Sequence, residues 1–289
     1  MLLHEHEYTV SEMCRVLGVS RQGYYQWRRR PAGAHALRDA ELAGEIRRVF
    51  ELSRGTYGSP RVFAQLRRDG VVTSEKRVAR IMAERGWAGA SRRRAKSPGG
   101  AEKRVRREDG ADDLVGRDFT AGGPDQAWFA DITYVRTRQG WLYLAVVMDI
   151  WSRMVVGWSM GERIDAGLAD DALGMAIARR KPPEGCVHHS DHGSQYASLL
   201  LGKTMRENGI RPSMGSVASP WDNAPTESLM GTIKCECVHA RTFDSREQAA
   251  LEIFEYIECF YNRLRLHSAL GYMSPLEFEE SHASQPLAA

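Results

Sequence analysis

Three consecutive runs of β-forming residues in the middle of the chain constrain its fold most. They are residues 131–137 (DITYVRT), 141–150 (WLYLAVVMDI) and 154–160 (MVVGWSM). Each run is rich in β-branched and aromatic side chains, as strands are. The segments between them, RQG and WSR, are long enough for hairpin turns and too short for a crossover connection. The sequence therefore predicts an antiparallel meander of three strands.

The segments after the meander alternate between helical and strand patterns. Leu168, Leu173 and Ile177 have the spacing of one buried helix face. Short apolar runs at 186–191 and 211–216 predict two further strands. The remaining segments predict helices at 166–180, 195–208, 224–238 and 245–263. We therefore predict an α+β fold with a mixed five-stranded sheet flanked by helices.

The first thirty residues have the pattern of a helix-turn-helix unit. Residues 9–30 predict two short helices, with Gly18 ending the first and Ser20 capping the second. Arg21 and Gln22 then begin the second helix, where such motifs reach the edges of DNA bases. The alternative is a plain helical hairpin with a solvated basic end.

Residues 35–90 predict a second helix-turn-helix-like unit. Leu37, Leu42, Ile46 and Val49 recur at helical spacing and predict one amphipathic helix over 35–53. Two shorter helices follow, the second of them capped by Ser74. Its polar side presents three cations that we interpret as DNA contacts: Lys76, Arg77 and Arg80. We predict a helical DNA-binding region at 1–90, a basic linker at 91–122, a catalytic core at 123–280 and a tail at 281–289.

Charge divides the chain into a basic and an acidic part. Residues 1–108 hold 24 Lys and Arg against 12 Asp and Glu, so their net charge is +12, and the remainder carries −9. A basic part of this kind indicates nucleic-acid binding. No apolar run has the length of a membrane span or a signal peptide. We therefore expect duplex DNA as partner, no membrane association, and a cytoplasmic protein that is nucleoid-associated when bound to DNA.

Three carboxylates stand where the predicted elements would bring them together. Asp131 lies in the first strand, Asp191 ends the fourth, and Glu227 lies at the start of a helix. Carboxylates that converge without basic partners repel one another. Hard cations such as Mg²⁺ relieve that repulsion, and two such ions support in-line phosphoryl transfer. An isolated Asp at a strand end is more often a cap or a solvated residue.

The spacing and the flanking motifs carry a resemblance to a known family. Thirty-five residues separate Asp191 from Glu227. With this spacing the chain resembles the D,D(35)E transposases and retroviral integrases, and most closely the insertion-sequence transposases of the IS-three group. The resemblance covers nearly the whole chain through six motifs: MCRVLGVSRQGYYQWRRRP, YGSPRVFAQLRRDG, DQAWFADITYV, HHSDHGSQY, SPWDNAPTESLMGTIKCE and FYNRLRLHSALGYMSPLEFE.

The resemblance implies a ribonuclease H-like core that cleaves DNA at transposon ends and transfers the strand to a target. It implies that Asp131, Asp191 and Glu227 hold two Mg²⁺ or Mn²⁺ ions. It also implies a DNA contact for Lys234. We expect Asn262 and Arg263 to line the DNA path. The implied partners are the terminal repeats and target DNA, a homo-oligomer on that DNA, and the first-reading-frame protein of the same element.

Two other functions remain open from the sequence. The chain could be a DNA-binding regulator with an inactive core, or a structure-selective nuclease that cuts without joining.

Glu227 and Lys234 are seven residues apart in one predicted helix. Seven residues make almost two helical turns, so the two side chains are predicted to lie on one face of one helix.

Overall fold

The computed structural model describes residues 1–29, 33–90, 111–191, 195–196, 198–215, 223–239 and 241–283. The strands are β1 (Ala127–Thr137), β2 (Gly140–Asp149), β3 (Val155–Gly161), β4 (Val187–Ser190) and β5 (Arg211–Met214). The α-helices are α1 (Val10–Val16), α2 (Arg21–Arg29), α3 (Ala34–Leu52), α4 (Ser59–Arg68), α5 (Glu75–Glu84), α6 (Ala166–Arg180), α7 (Leu199–Glu207), α8 (Ala224–Ile233), α9 (Arg246–Glu255) and α10 (Pro275–Ala283).

The five strands form one mixed sheet in the order β3-β2-β1-β4-β5. The first three strands are antiparallel neighbours joined by short turns, which confirms the predicted meander. β4 then pairs in parallel with β1, and β5 pairs in parallel with β4. The parallel pairs need crossover connections, and α6 and α7 lie in these connections. The prediction of a mixed five-stranded sheet flanked by helices is confirmed.

The N-terminal region is helical, as predicted. Thr9 caps α1 through a capping box with Glu12, and Gly18 follows α1 with a φ of 65°, in the left-handed region that suits glycine. The Ser20 hydroxyl accepts a hydrogen bond of 2.9 Å from the Gly23 amide and caps α2. These caps produce the tight turn between the two helices of the predicted helix-turn-helix unit.

Two hydrophobic clusters cover the two faces of the sheet. One face packs against α6 and α7, and the other packs against α8 and α9. The second cluster continues without a break into α3, α4 and α5, through buried residues such as Ile46, Leu66 and Ile81. The helices of residues 34–84 therefore pack on the sheet domain and share its core.

Several predictions about the N-terminal half need separate comment. Leu42, Ile46 and Val49 of α3 are buried as expected, but Leu37 is 55% exposed, so the interpretation that it lies on the buried face is wrong. It lies near the start of α3, before the stretch that meets α4 and α5.

Part of the predicted linker at 91–122, up to residue 110, lies outside the described residues, and so does the predicted tail beyond residue 283. Among the described helices none has the length and apolar character needed to cross a membrane.

Gly157 of β3 permits a close approach between the sheet and α6. A Cβ atom at this position would overlap the Ala172 carbonyl oxygen and would lie 2.8 Å from the Ala176 amide nitrogen. Both obstructing atoms belong to the backbone of α6, which cannot move without shifting the helix. The sheet therefore requires glycine here because of contact distance.

We expect Gly157→Ala to lower the free energy of unfolding by about 1–3 kcal/mol, the usual cost of overpacking a dense core. Gly174→Ala is the matched control, because a Cβ there meets no atom within 4 Å. Replacing a helical glycine by alanine stabilises by about 0.5–1 kcal/mol. Urea denaturation of both variants measures the difference. Equal stabilities would contradict this account of the α6 contact.

Candidate active site

Strand register brings Asp131 and Asp191 to the same place on the sheet. Phe129 of β1 is the parallel partner of His189 of β4. Two residues further along each strand lie Asp131 and Asp191, and Asp191 directly follows the end of β4. Neighbouring strands are about 4.8 Å apart. The two carboxylates therefore belong to adjacent positions where β4 leaves the sheet.

Glu227 is brought to these aspartates by the start of α8. It lies in the first turn of that helix, which packs on β1. The Asn223 side-chain amide donates a 3.2 Å hydrogen bond to the carbonyl of Ala130, the neighbour of Asp131. The Thr226 hydroxyl donates to both the backbone and the side-chain oxygen of Asn223. Asn223 thus fastens the helix that carries Glu227 to the strand that carries Asp131.

The Asp131 carboxylate lies in an unfavourable environment for a negative charge. Burial raises its pKa to about 7, and the Asp191 and Glu227 carboxylates raise it as well. A 2.8 Å hydrogen bond from the Ile132 amide to Oδ1 and the positive charge of Lys234 act in the opposite direction. The pKa of Glu227 is also raised, by burial. Both of the other carboxylates therefore act on Asp131.

Lys234 follows Glu227 by seven residues on the same helical path. Both residues act electrostatically on Asp131 of β1, which agrees with the predicted shared face but does not by itself fix it. The helical path of α8 continues past Ile233 into a π-helical turn over Lys234–Val238, and Leu229, Ile233 and Cys237 form the buried stripe that was predicted. The Lys234 Nζ atom lies 4.9 Å from the centre of the Tyr134 ring. Burial lowers the pKa of Lys234, while Asp131 raises it.

The donor chemistry of this region suits a hard divalent cation. Three carboxylates supply oxygen ligands, and their mutual repulsion would be relieved by a positive charge. Burial raises the pKa of the Tyr196 hydroxyl, and the charges of Asp131 and Asp191 raise it further. In the described part of the chain this hydroxyl is buried without a hydrogen-bond partner. Within that same part no three His, Cys, Asp or Glu side chains are close enough to share one ion. The residues thus fit a metal by chemistry, without forming a closed ligand set.

A buried ion pair lies directly behind the candidate site. Glu236, two residues after Lys234, accepts two hydrogen bonds from the Arg265 guanidinium, at 2.7 and 2.6 Å. The Tyr256 hydroxyl donates a third at 2.8 Å. Both charged side chains are only 5% exposed. The pair joins the end of the α8 helical path to the C-terminal segment.

The predicted DNA-contact residues of the helical region differ in their surroundings. Arg21 and Gln22 are exposed at the start of α2, and Lys76 is exposed on α5. Arg77 and Arg80 both form ion pairs with Asp39 of α3, each at 2.7 Å. Asp39 therefore offsets part of the positive charge of these two arginines. The two ion pairs also explain their positions, because they connect α5 with α3.

The two predicted DNA-contact residues of the C-terminal segment also differ in their surroundings. The Asn262 amide is buried and bonds to both backbone groups of Val155 on β3, at 2.9 Å each. Its side chain extends the edge of the sheet, which leaves it no group for DNA. Arg263 is exposed. Asn262 is therefore explained by packing, and Arg263 keeps the interpretation that the sequence suggested.

Sequence reasoning missed three residues that shape this site: Asn223, Tyr196 and Glu236. Asn223 has a local signal, because it immediately precedes the proline-containing first turn of α8. Glu236 has one too, since it is a charged residue next to the apolar stripe that ends at Cys237. Tyr196 has no signal that we can identify, because its position depends on the fold around it.

Four family models match this chain. They are described as Transposase (residues 2–55), HTH-like domain (residues 36–95), and Integrase core domain for both residues 121–220 and residues 227–282. The integrase core match together with the mixed sheet confirms the predicted ribonuclease H-like class. The matches at 2–55 and 36–95 agree with the all-helical N-terminal region.

Two solved structures of retroviral proteins match parts of this chain. One is a simian T-cell lymphotropic virus intasome in complex with the PP2A regulatory subunit B56 gamma, at 14% identity and a TM-score of 0.48, covering 84% of this chain and 76% of that chain. The other is the HTLV-2 integrase catalytic core domain in complex with magnesium, at 16% identity and a TM-score of 0.42, covering 55% of this chain and 99% of that chain.

Curated relatives match along almost the full length. An insertion-element protein of 31 kDa from Shigella sonnei, named for IS600, is 37% identical over 270 residues, which are 93% of this chain and 98% of that protein. Transposase InsF for insertion sequence IS3A from Escherichia coli strain K12 is 40% identical over 281 residues, which are 96% of each protein. With this identity over nearly its whole length, and with integrase core and helix-turn-helix matches in register, the chain belongs to the IS3 family of insertion-sequence transposases.

Proposed function

We propose that this transposase cleaves a phosphodiester bond at the end of its element and joins the freed 3′-hydroxyl to target DNA, with Asp131, Asp191 and Glu227 as the catalytic residues. The observation that carries the proposal is that the other two carboxylates both act on Asp131: Asp191 comes from the neighbouring strand, and Glu227 comes from the first turn of α8, which packs on β1. No covalent enzyme intermediate is required, so no serine or tyrosine nucleophile is assigned.

The same three carboxylates would hold two Mg²⁺ or Mn²⁺ ions. Such ions, when bound, supply an activated attacking oxygen and stabilise the leaving one. The protein's own contribution is geometric, because Asn223 fixes α8 on β1 and the Ile132 amide holds one oxygen of Asp131. The raised pKa of Asp131 follows from burial and from the neighbouring carboxylates, and a bound cation would reverse it.

DNA binding is assigned to the exposed cations and to the helical region. Arg21 and Gln22 at the start of α2 are suited to base edges, and Lys76, Lys234 and Arg263 are suited to phosphates. The duplex ends and target DNA would be held by more than one copy of the chain, and the first-reading-frame protein of the element is a further partner. Because its proposed substrate is DNA, we propose that the protein acts in the bacterial cytoplasm and is nucleoid-associated when bound to DNA.

Two other functions share part of this structure. A regulator with an inactive core would bind the same ends, but it has no need for three converging carboxylates. A structure-selective nuclease would use the same carboxylates, but it has no need for helix-turn-helix units. Strand cleavage in Mn²⁺ excludes the first, and joined products exclude the second.

We expect Asp131→Asn, Asp191→Asn and Glu227→Gln each to reduce cleavage of the element's own end at least about 100-fold. Each change removes a negative charge that contributes several kcal/mol to holding the cations. A loss of about 1.4 kcal/mol slows the reaction tenfold, so the expected loss exceeds two factors of ten. The measurement is the fraction of labelled end-DNA nicked and joined in Mn²⁺ or Mg²⁺.

Asp244→Asn is the matched control, because Asp244 is an exposed aspartate paired with Arg138 beyond the turn from β1 to β2. It should cleave like the unaltered protein, and all four variants should bind the DNA with similar affinity. Near-normal cleavage by any one triad variant would remove that residue from the proposed site.

We expect Lys234→Ala to weaken binding and joining of end-DNA about tenfold, through loss of one charge-assisted contact to phosphate. Its position two helical turns from Glu227, over the Tyr134 ring, puts it beside the proposed cleavage point. Lys203→Ala is the control, because Lys203 is an exposed lysine on α7 paired with Glu207. Joining by Lys234→Ala at the rate of the control would leave Lys234 with no role in DNA contact.

We expect Arg21→Ala and Gln22→Ala to lower the preference for the element's end over unrelated duplex by about 1–3 kcal/mol each, as lost base contacts do. Competition binding at fixed salt concentration measures that preference. Arg47→Ala is the control, since Arg47 is exposed and paired with Glu51 within α3. A uniform loss of affinity for both DNAs would mean that α2 contacts phosphates only.

A further inference from the structure

A cavity of about 400 Å³ lies along α8, next to the candidate active site. Three separate parts of the chain form it: Arg61 of α4, Arg153 in the turn between β2 and β3, and His267 in the C-terminal segment. Ser228 and Thr232 of α8 line its remaining side. Its volume falls within the range of pockets that hold small molecules or parts of larger ligands.

Two of the cations that line this cavity have no carboxylate partner. Within the described residues, Arg61 and Arg153 take part in no ion pair, whereas Arg265 is neutralised by Glu236. The Arg61 guanidinium donates a hydrogen bond of 3.0 Å to the Leu266 carbonyl. Burial lowers the pKa of both arginines, as expected for charges enclosed without compensation. The cavity therefore holds an excess of positive charge.

The carboxylate of Asp149, which acts on Arg153, is already engaged elsewhere. Its Oδ1 atom accepts from the Asp125 amide at 2.9 Å, and its Oδ2 atom accepts from the amide and hydroxyl of Ser152, at 2.9 and 2.8 Å. These bonds satisfy Asp149 within its own turn. Arg153 itself has a φ of 61°, a backbone conformation in which glycine would be less strained. The turn thus keeps a long cation at a position that local geometry alone would give to glycine.

His267 adds a neutral hydrogen-bond donor to the cavity. Burial and the three nearby arginines lower its pKa well below the usual value, so the ring is uncharged. Arg265 can only donate, so the His267 Nε2 atom, 3.4 Å from the Arg265 guanidinium, is the acceptor. The ring proton is then on Nδ1. An anion in the cavity would find one neutral donor beside two unpaired cations.

The position of the cavity on α8 relates it to the catalytic residues. Successive residues of an α-helix are about 100° apart, so Ser228 lies one such step around from Glu227, and Thr232 lies on the same flank as Ser228. Glu227 and Lys234 act electrostatically on Asp131 of β1, while Ser228 and Thr232 line the cavity. A DNA strand with one phosphodiester at Glu227 would pass the cavity with a neighbouring phosphate.

We propose that this cavity is a phosphate subsite for the DNA substrate, in which Arg61 and Arg153 hold a backbone phosphate adjacent to the cleavage position. The proposal rests on the proposed function, because it takes DNA at Glu227 as given. It adds Arg153 of the β2–β3 turn and Arg61 of α4, to which the sequence analysis assigned no role. It also requires the helical region and the core to act on one strand together.

The test uses the full chain and a fluorescent 30-base-pair duplex of the element's end, with affinity measured by anisotropy over a series of salt concentrations. Arg153→Gln should weaken binding about tenfold and lower the slope of log affinity against log salt by about 1, the loss of one phosphate contact. Arg153→Lys should retain most of the affinity, because lysine also binds phosphate as a point charge. Arg61→Gln gives a second, independent variant should Arg153→Gln fold poorly.

Arg138→Gln is the matched control, because Arg138 is an exposed arginine in the turn between β1 and β2. It should leave affinity and slope unchanged, and an equal loss in Arg138→Gln and Arg153→Gln would overturn the subsite as a general charge effect. Unchanged affinity in both Arg153→Gln and Arg61→Gln would overturn it as well.

A second measurement separates this subsite from the active site. Pyrophosphate should raise the melting temperature of the unaltered protein and of Asp131→Asn equally, and should have no effect on Arg153→Gln. The same shift in Arg153→Gln as in the unaltered protein would contradict the subsite. If the unaltered protein cleaves no end-DNA in Mn²⁺ while Arg153→Gln still loses affinity, the proposed function fails and the anion site remains. If the unaltered protein cleaves end-DNA while the Arg153 and Arg61 variants bind it normally, the phosphate subsite fails and the proposed function stands.

Discussion

The buried ion pair between Glu236 and Arg265 is the interaction on which the functional region depends. Burying two charges is expensive, and the cost is offset only by close geometry and further hydrogen bonds. The bidentate contact and the Tyr256 hydroxyl provide these. Removal of either partner would leave a buried unpaired charge, which costs about 3–5 kcal/mol. The pair therefore fixes the end of the α8 path against the C-terminal segment.

Several contacts near this pair join all parts of the protein. The Leu266 amide donates to the Tyr57 hydroxyl at 2.7 Å, and the Leu266 carbonyl accepts from Arg61 at 3.0 Å. Tyr57 and Arg61 belong to the helical region, and Leu266 follows Arg265 in the C-terminal segment. A shift of Arg265 would thus move both the helix carrying Glu227 and the wall of the cationic cavity. The proposed catalytic residues and the proposed phosphate subsite are thus connected through this segment.

The sequence predicted the elements well because their signals are local. Strand alternation, short turns and caps such as Ser20 and Ser74 depend on neighbours in the chain, and the helix predicted at 166–180 has the observed limits. The triad positions came from a spacing that only a family resemblance made meaningful. The register then explains why Asp131 and Asp191 are neighbours, through the pairing of Phe129 with His189.

What the sequence could not predict depends on contacts between distant residues. Asn262 has the appearance of a polar surface residue in a motif, yet its amide is taken up by the backbone of Val155, 107 positions earlier in the chain. Arg77 and Arg80 have helical spacing suited to DNA, yet both meet Asp39 of another helix. The cationic cavity unites Arg61, Arg153 and His267, which lie 92 and 114 positions apart along the chain. None of these pairings leaves a periodic pattern that could be read in advance.

The division of charge along the chain acquires a physical meaning in this arrangement. The part after residue 108 has a net charge of −9, so it would repel DNA if it acted alone. Lys234 of the core acts on Asp131, Arg153 of the core lines the cavity along α8, and Arg61 of α4 contributes a cation from the basic part. The helices of residues 34–84 also share their apolar core with the sheet domain. Without them the core would lose both a cationic wall and part of its packing, so the proposed active site and the proposed DNA contacts beside it depend on the two regions remaining together.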